Sequence, residues 1–485
     1  MAKGEKEVGK LATETKTSVK KNYLYNLAYQ ILAILVPLVT TPYVSRVLGP
    51  KGLGDFAFTG ANVSYFAMFA ALGTATYAQR EVAFVQNDPE ERSRVFWEIL
   101  LLRMLTTSLV GMVYYYSFCR AGALRNLYGI RMLMVLSWAL DICWFFQGME
   151  NFRVTVMRNA LVKLVTVALI FLFVRTEEDV GLYTLLLSGT ILAGTLTMWP
   201  FLKKYLVRID RKRIDPLRHL RGTLELFVPV IGIQVYTVLD QTMLGLLTDT
   251  TQVGYYFQAE KIVKLVSTIL YALTAVLLPR MSAVIGGKKW ELAREYYQKT
   301  VCCSVLLILP MLAGCMFTAG YLIPVFLGQA YTPCILLLQI FSLLFITQGI
   351  GQIAGTVLLA LKKQKSYTRA VMSGAALNLA MNGILIPRYG AVGATMASVL
   401  SELCVELLML RGLRPEFSNR VLVQAICHYL PPTLIMCAGL WLARHFLVQV
   451  NPGSLLLMVG LGMAIYGGVL LSCRDRYLME LLKRN

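Results

Sequence analysis

Apolar runs of roughly 20 residues, separated by short polar segments, recur along the 485-residue chain, and that is the length a helix needs to cross a bilayer. Fourteen helices are predicted, near 24–47, 56–78, 96–118, 126–146, 157–174, 180–201, 224–247, 256–278, 300–318, 333–354, 368–386, 391–410, 422–443 and 453–472. Hydrocarbon offers the backbone no hydrogen-bonding partner, so each run must satisfy its own N–H and C=O groups. The expected fold class is all-α, a polytopic membrane protein of about 14 transmembrane helices.

Charge then orients the spans. If the N-terminus is cytoplasmic, segments that fall inside carry 35 Lys and Arg, segments that fall outside carry 7, and five lie within helices: Arg103, Arg131, Lys163, Lys261 and Lys264. This is the bias of a multi-pass protein with both termini in the cytoplasm. It also tests the span count, because one missed helix would scramble the alternation. The first 22 residues are polar, and the first apolar run reads as an uncleaved span, not a secretory leader.

Composition agrees and narrows the class. Hydrophobic residues make up 57% and charged residues 15%, with a net charge of +20. A soluble domain carries about 25% charged residues. The basic excess sits in short clusters between apolar runs, which argues for membrane topology and against nucleic acid as a partner. Ten Cys include no CxxC pair, so neither a metal site nor a disulfide framework is expected. No Walker A sequence, acid dyad or nucleophile–base pairing is legible, and every predicted loop is short. No cofactor and no enzymatic role are expected.

An internal repeat sets the domain organisation. At an offset of 200, Gly54 matches Gly254, Arg80 matches Arg280, and Glu91 and Arg94 match Glu291 and Arg294. Val180-Gly181 and Val392-Gly393 match at 212. The expected plan is a cytoplasmic polar tail (1–21), an N-terminal six-helix bundle (22–201), a basic cytoplasmic linker (202–223), a pseudo-symmetric C-terminal six-helix bundle (224–411), and two additional helices with a cytoplasmic tail (412–485). Transporters built from parallel repeats bind substrate between the halves and alternate access. The first helix of each half carries a proline, Pro37 and Pro229.

The stretches NYLYNLAYQILAILVPLVTTPYVSRVLGPKGLGDFAF, ALGTATYAQREVA, LDICWFFQGMENF (140–152), VYTVLDQTMLG (235–245) and AEKIVKLVSTILYALTAVLLPRMS (259–282) keep order and spacing over about residues 20–410. They resemble the Wzx-type oligosaccharide flippases of bacterial polysaccharide synthesis, in the superfamily that also holds MATE exporters and lipid II flippases. The resemblance implies two six-helix lobes around a central cavity, and a substrate consisting of an oligosaccharide on undecaprenyl diphosphate. It also implies a bacterial cytoplasmic membrane, with membrane lipids and other polysaccharide-assembly proteins as partners.

A diphosphate cannot enter hydrocarbon bare, so the candidate binding residues are cations inside helices. Arg46 stands in SRVLG, similar to the lipid II flippases, whose Arg lines the cavity. Lys261 aligns with a cavity Arg of those relatives, and Lys264 lies one turn further on the same face. For Arg46 the bland alternative is an interfacial side chain reaching the headgroups, and for Lys264 it is an ion pair with Glu260. Asp240, at a depth similar to Lys261, is the candidate for coupling to H⁺ or Na⁺, with structural pairing to a Lys as the alternative. Arg80 and Arg280 close helices at the cytoplasmic surface as gate residues. Arg103, Asp141 and Lys163 fall at similar depths on three helices and suggest a structural network. The three His residues suggest no site.

The expected function is therefore a flippase for a lipid-linked oligosaccharide. A MATE-type drug antiporter, a lipid II flippase and a membrane glycan polymerase or ligase stand as alternatives.

Overall fold

In a computed structural model, the backbone is described for residues 2–274, 277–414, 416–447, 449–475 and 477–479, and the side chains of these except 2–29, 152–153, 211, 228–236 and 272–273. The described residues form helices and turns without strands. In chain order the α-helices are α1 (Ala2–Ala71), α2 (Thr74–Phe84), α3 (Pro89–Tyr114), α4 (Arg125–Leu140), α5 (Cys143–Gly148), α6 (Phe152–Phe173), α7 (Val180–Leu196), α8 (Leu220–Leu247) and α9 (Thr250–Thr274). They continue with α10 (Leu277–Gly286), α11 (Trp290–Phe326), α12 (Cys334–Phe341), α13 (Leu344–Ile346), α14 (Gln352–Ala360), α15 (Gln364–Leu413), α16 (Arg420–Phe446) and α17 (Pro452–Ser472).

Ten stretches among the described residues are long and apolar enough to cross a membrane, so this is a multi-pass membrane protein. Two of them hold more than one crossing. Gln30–Phe84 has 55 residues and Gln364–Leu413 has 50. Straight helices of that length would span about 80 Å at 1.5 Å per residue, more than twice a hydrocarbon core of about 30 Å. Both are broken at a glycine with positive φ: Gly49 (φ 65, ψ 176) and Gly390 (φ 54, ψ −131). Gly49 is followed at once by Pro50, the residue suited to open the next helix because it needs no partner for an N–H. At the second break the chain folds back. A Cβ at Gly393 would overlap the backbone of Leu385, and one at Gly374 would overlap the Val405 side chain. Those pairings run antiparallel, so α15 is a helical hairpin whose arms touch through glycine. With α8 and α9, of 28 and 25 residues, the described helices account for all fourteen predicted spans.

The chain divides into two compact units, Met1–Val238 and Leu239–Asn485. Their element order repeats. Helix two of each unit is a long piece followed by a short one, α1 then α2 and α9 then α10. Helix four is interrupted in each, at Asp141–Ile142 and around Ser342–Gly351. The dividing point lies inside α8, not at the expected linker end. The cause is local packing: Gly222 and Gly73 sit where a Cβ would strike Tyr77 and the Thr223 carbonyl, so the start of α8 belongs with α2.

The basic segment 202–223 is folded onto the first unit. It forms short 3-10 turns at Trp199–Lys204, Arg211–Arg213 and Pro216–His219. Its anchor is Glu98 on α3, whose side chain is 1% exposed. Glu98 accepts from the Asp215 N–H at 3.0 Å, from Arg218 Nε at 2.8 Å and from His219 Nε2 at 2.9 Å, while His219 Nδ1 meets the Tyr77 hydroxyl at 2.9 Å. His219, which the sequence left without a role, is thus a buried tie. In the second unit, Asp475 ties the chain end to α16 through His428 Nε2 at 2.9 Å.

Candidate functional site

Polar residues in the apolar interior concentrate in two places, one in each unit. In the second unit the centre is Asp240 on α8, which is buried. Its Oδ2 accepts from the Tyr256 hydroxyl of α9 and the Ser398 hydroxyl, each at 2.6 Å, and its Oδ1 accepts from Asn382 Nδ2 at 2.6 Å. Asn382 also reaches Asn378 Oδ1 at 3.0 Å, and its own Oδ1 is buried with no hydrogen-bond partner among the described residues. Asn378 and Asn382 lie on one arm of the α15 hairpin and Ser398 on the other, so the hairpin turn at Gly390 is what brings them to one carboxylate. All three donors are neutral. No cation stands among these three partners, and hydrogen bonds from neutral groups are what the buried carboxyl has in place of water.

In the first unit the centre is Asp141, where helix four breaks. Asp141 has extended backbone (φ −72, ψ 118), and α5 starts two residues later. The break frees two carbonyls, and two indoles take them: Trp199 Nε1 donates to the Leu140 carbonyl at 3.0 Å and Trp144 Nε1 to the Asp141 carbonyl at 2.9 Å. Asp141 Oδ1 accepts from the Cys143 N–H at 3.2 Å, while Oδ2 lies 3.6 Å from Arg103 Nη2. Arg103, 4% exposed, leaves Nε and Nη1 without a hydrogen-bond partner among the described residues. Each buried donor left unpaired costs about 1–3 kcal/mol. Arg158 on α6 stands beside them, with Nη1 against Asn159 Oδ1 (2.7 Å) and the Cys143 sulfur (3.4 Å), Nη2 on Thr195 Oγ1 (2.9 Å) and Nε unpaired.

The other predicted residues fall as follows. Arg46 is exposed on α1. Lys261 is half-buried, with Nζ 5.7 Å from the Phe257 ring centroid one turn earlier. Lys264 is in an ion pair with Glu260 at 2.7 Å, and Glu260 also accepts from Gln241 Nε2 at 3.3 Å. Arg80 pairs with Glu81 at 3.1 Å and lies over the Tyr77 ring, and Arg280 is exposed in the first turn of α10. Arg103 Nη2 lies 3.6 Å from Asp141 Oδ2, and Lys163 is half-buried on α6. The Lys partner considered for Asp240 is replaced by the three neutral donors above. Among the described residues no group of three or more His, Cys, Asp or Glu is placed to hold a metal.

Comparison with known proteins now adds identity. A family model described as "Polysaccharide biosynthesis protein" matches residues 19–285, more than half of the chain. The chain belongs to this family. A protein of Escherichia coli (strain K12) named as a candidate O-antigen transporter is 23% identical over 421 residues, covering 84% of this chain and 99% of that protein. A Haloferax volcanii protein named as a candidate low-salt glycan biosynthesis flippase, Agl15, is 26% identical over 241 residues, 49% of this chain and 51% of that protein. Among solved structures, the lipid II flippase MurJ in an inward closed conformation superposes with a TM-score of 0.72 at 15% identity, covering 94% of this chain and 99% of MurJ. An inward-facing multidrug resistance MATE transporter of the MOP superfamily gives 0.62 at 15% identity, covering 82% and 94%. At these identities the structural likeness establishes the fold.

Within this polysaccharide biosynthesis protein, the structure adds residues that sequence reading did not single out. Tyr256, Asn378, Asn382 and Ser398 are ordinary polar residues in apolar helices until α15 folds. Arg158 falls at the edge of the short polar segment after the fourth predicted span. Arg131 was visible as a cation inside a helix. It is buried, with Nε on Thr59 Oγ1 at 2.9 Å and its guanidinium 4.6 Å from the Phe56 ring centroid.

Proposed function

We propose that this protein is a flippase that moves a lipid-linked oligosaccharide, on undecaprenyl diphosphate, from the inner to the outer leaflet of a bacterial cytoplasmic membrane. The observation that carries the reading is near-full-length similarity to a protein named for O-antigen transport, on a fold shared with a lipid II flippase. The chemistry fits. A diphosphate needs positive charge within the membrane, and this chain keeps cations there despite a cost of about 2.5–3.5 kcal/mol each at mid-bilayer.

In this reading Arg46, Lys261 and Lys264 meet the anionic headgroup. Lys264 must first exchange Glu260 for it, so Lys261 carries more of the binding. Asp240 couples the cycle to an ion. Its uncompensated charge and the carbonyl oxygens of Asn378 and Asn382 suit either a proton or a small hard cation such as Na⁺, which prefers oxygen ligands. Arg80 and Arg280 act at the gate, and the protein relocates its substrate without chemical change. Repeats 22–201 and 224–411 are the moving bundles, with the last two helices as an addition.

The test is export in a bacterium deleted for its own oligosaccharide flippase and supplied with this chain. Surface glycan returning at unchanged chain length supports the reading. Glycan whose length changes in reconstituted vesicles without relocation identifies a polymerase or ligase and overturns it. Uptake of organic cations in place of glycan export identifies a drug antiporter.

A further inference from the structure

The break in helix four is built with care, and its purpose is not structural closure. Both freed carbonyls are capped by indoles, yet the guanidinium beside the break is left half-used. Arg103 Nε and Nη1 are buried and unpartnered among the described residues, and so is Arg158 Nε. The carboxylate beside Arg103 does not satisfy it. Asp141 Oδ2 stands 3.6 Å from Arg103 Nη2, outside the 2.7–2.9 Å of a charge-assisted hydrogen bond. Its other oxygen is engaged by the Cys143 N–H. Both cations lie within Coulombic reach of the Cys143 sulfur. Among the described residues named here, two guanidinium groups stand against one carboxylate. The Asp141 side chain is 30% exposed whereas Arg103 is 5%, so the carboxylate is the member of the pair that solvent or a ligand reaches first. Interrupted helices inside a transporter bundle are where anionic groups bind, and a guanidinium fork matches phosphate oxygens.

We propose that Arg103 and Arg158 form a seat for a phosphate-bearing group, and that Asp141 is a built-in stand-in anion which the phosphate displaces from Arg103. The seat lies within the first unit. The inference deepens the flippase reading, since a lipid diphosphate is the natural source of such a group, though a free phosphate species has the same chemistry.

Binding is measured apart from transport, on the full chain purified in detergent, by thermal unfolding with added inorganic pyrophosphate and, separately, geranyl diphosphate. Both probes are expected to raise the Tm of the native protein. A shift with geranyl diphosphate alone also supports the seat and assigns it to lipid. Asp141→Asn keeps the Cys143 cap while removing the competing charge. It is expected to lower Tm without ligand, and to bring half-maximal stabilisation at about tenfold lower probe concentration, as for one close charge pair removed. Arg158→Gln is expected to weaken the response by a similar factor. If Asp141→Asn lowers Tm and neither probe restores it, the pair is a structural ion pair and the proposal is wrong. An unchanged response in Arg158→Gln also overturns it. A protein that restores glycan export but shows no shift with either probe loses this seat and keeps the flippase reading. A shift without export does the reverse.

Discussion

Three donors converge on Asp240, from Tyr256 on the next helix and from Asn382 and Ser398 on the two arms of α15. Each is a hydrogen bond to a charged acceptor, worth about 1.5–3 kcal/mol in place. Tyr256→Phe is therefore expected to lower stability by about 2 kcal/mol, read as a drop in Tm in detergent. Asp240→Asn preserves shape and removes a buried charge. Its stability is expected to stay within about 1 kcal/mol of the native protein, because relief of desolvation offsets the weaker hydrogen bonds. In vesicles it should transport at a rate that no longer responds to an imposed ion gradient. A gradient response that survives in Asp240→Asn removes Asp240 from the coupling role. The cations separate in the same way. Lys264 is 56% exposed and committed to Glu260, an exposed ion pair worth about 0–1 kcal/mol. Lys261 has the Phe257 ring face beside it. Lys261→Gln is expected to cut glycan export by about tenfold, one charged contact converted to rate, and Lys264→Gln by less. The reverse order of loss would show that Glu260 releases Lys264 to the substrate.

Among the elements, the hairpin of α15 depends on glycine in a way that can be checked against a built-in control. At Gly393 any side chain meets the Leu385 backbone, which has nowhere to go, whereas Gly383, on the other arm of the hairpin, faces open space. Gly393→Ala is expected to destabilise by more than about 2 kcal/mol and to disturb the Asp240 cluster by parting the arms. Gly383→Ala should be neutral or stabilising by up to about 1 kcal/mol, since alanine lowers the entropy cost of a helix interior. Thermal unfolding of the two variants side by side measures the difference. The broken helix four is held differently, by indoles on its free carbonyls. Trp199→Phe leaves the Leu140 carbonyl without its donor and is expected to cost about 1–3 kcal/mol. Apolar periodicity shows where such helices run. It does not show where they break, because part of what stabilises the break, the Trp199 indole, comes from 59 residues away.

For the whole molecule, the distribution of Lys and Arg predicts a cytoplasmic chain end. Cys473, exposed just after α17, is expected to react with an impermeant maleimide only after the cells are permeabilised. A Cys placed at Arg175, in the loop between α6 and α7, should react in intact cells. The opposite pattern inverts the topology and with it the assignment of Arg80 and Arg280 to the cytoplasmic face. The repeat belongs to this scale too. Beside the matches at offsets of 200 and 212, each unit has a divided helix two and a broken helix four, the pattern that a duplication would leave in the backbone.

Fourteen crossings, with the orientation and duplicated order expected of them, follow from local rules: span length from bilayer thickness, topology from charge at the helix ends, turns from Gly and Pro. These properties require no knowledge of which helix lies beside which. The carboxylate clusters depended on that knowledge. Asp240 is separated from Asn382 by 142 residues and from Ser398 by 158, and Asp141 meets Arg103 across two helices. In hydrocarbon a polar side chain must find a partner, but its sequence names only the need. Which residue answers is decided by the packing, because hydrogen bonds act over about 3 Å while the chain that must be folded to make them runs for more than a hundred residues.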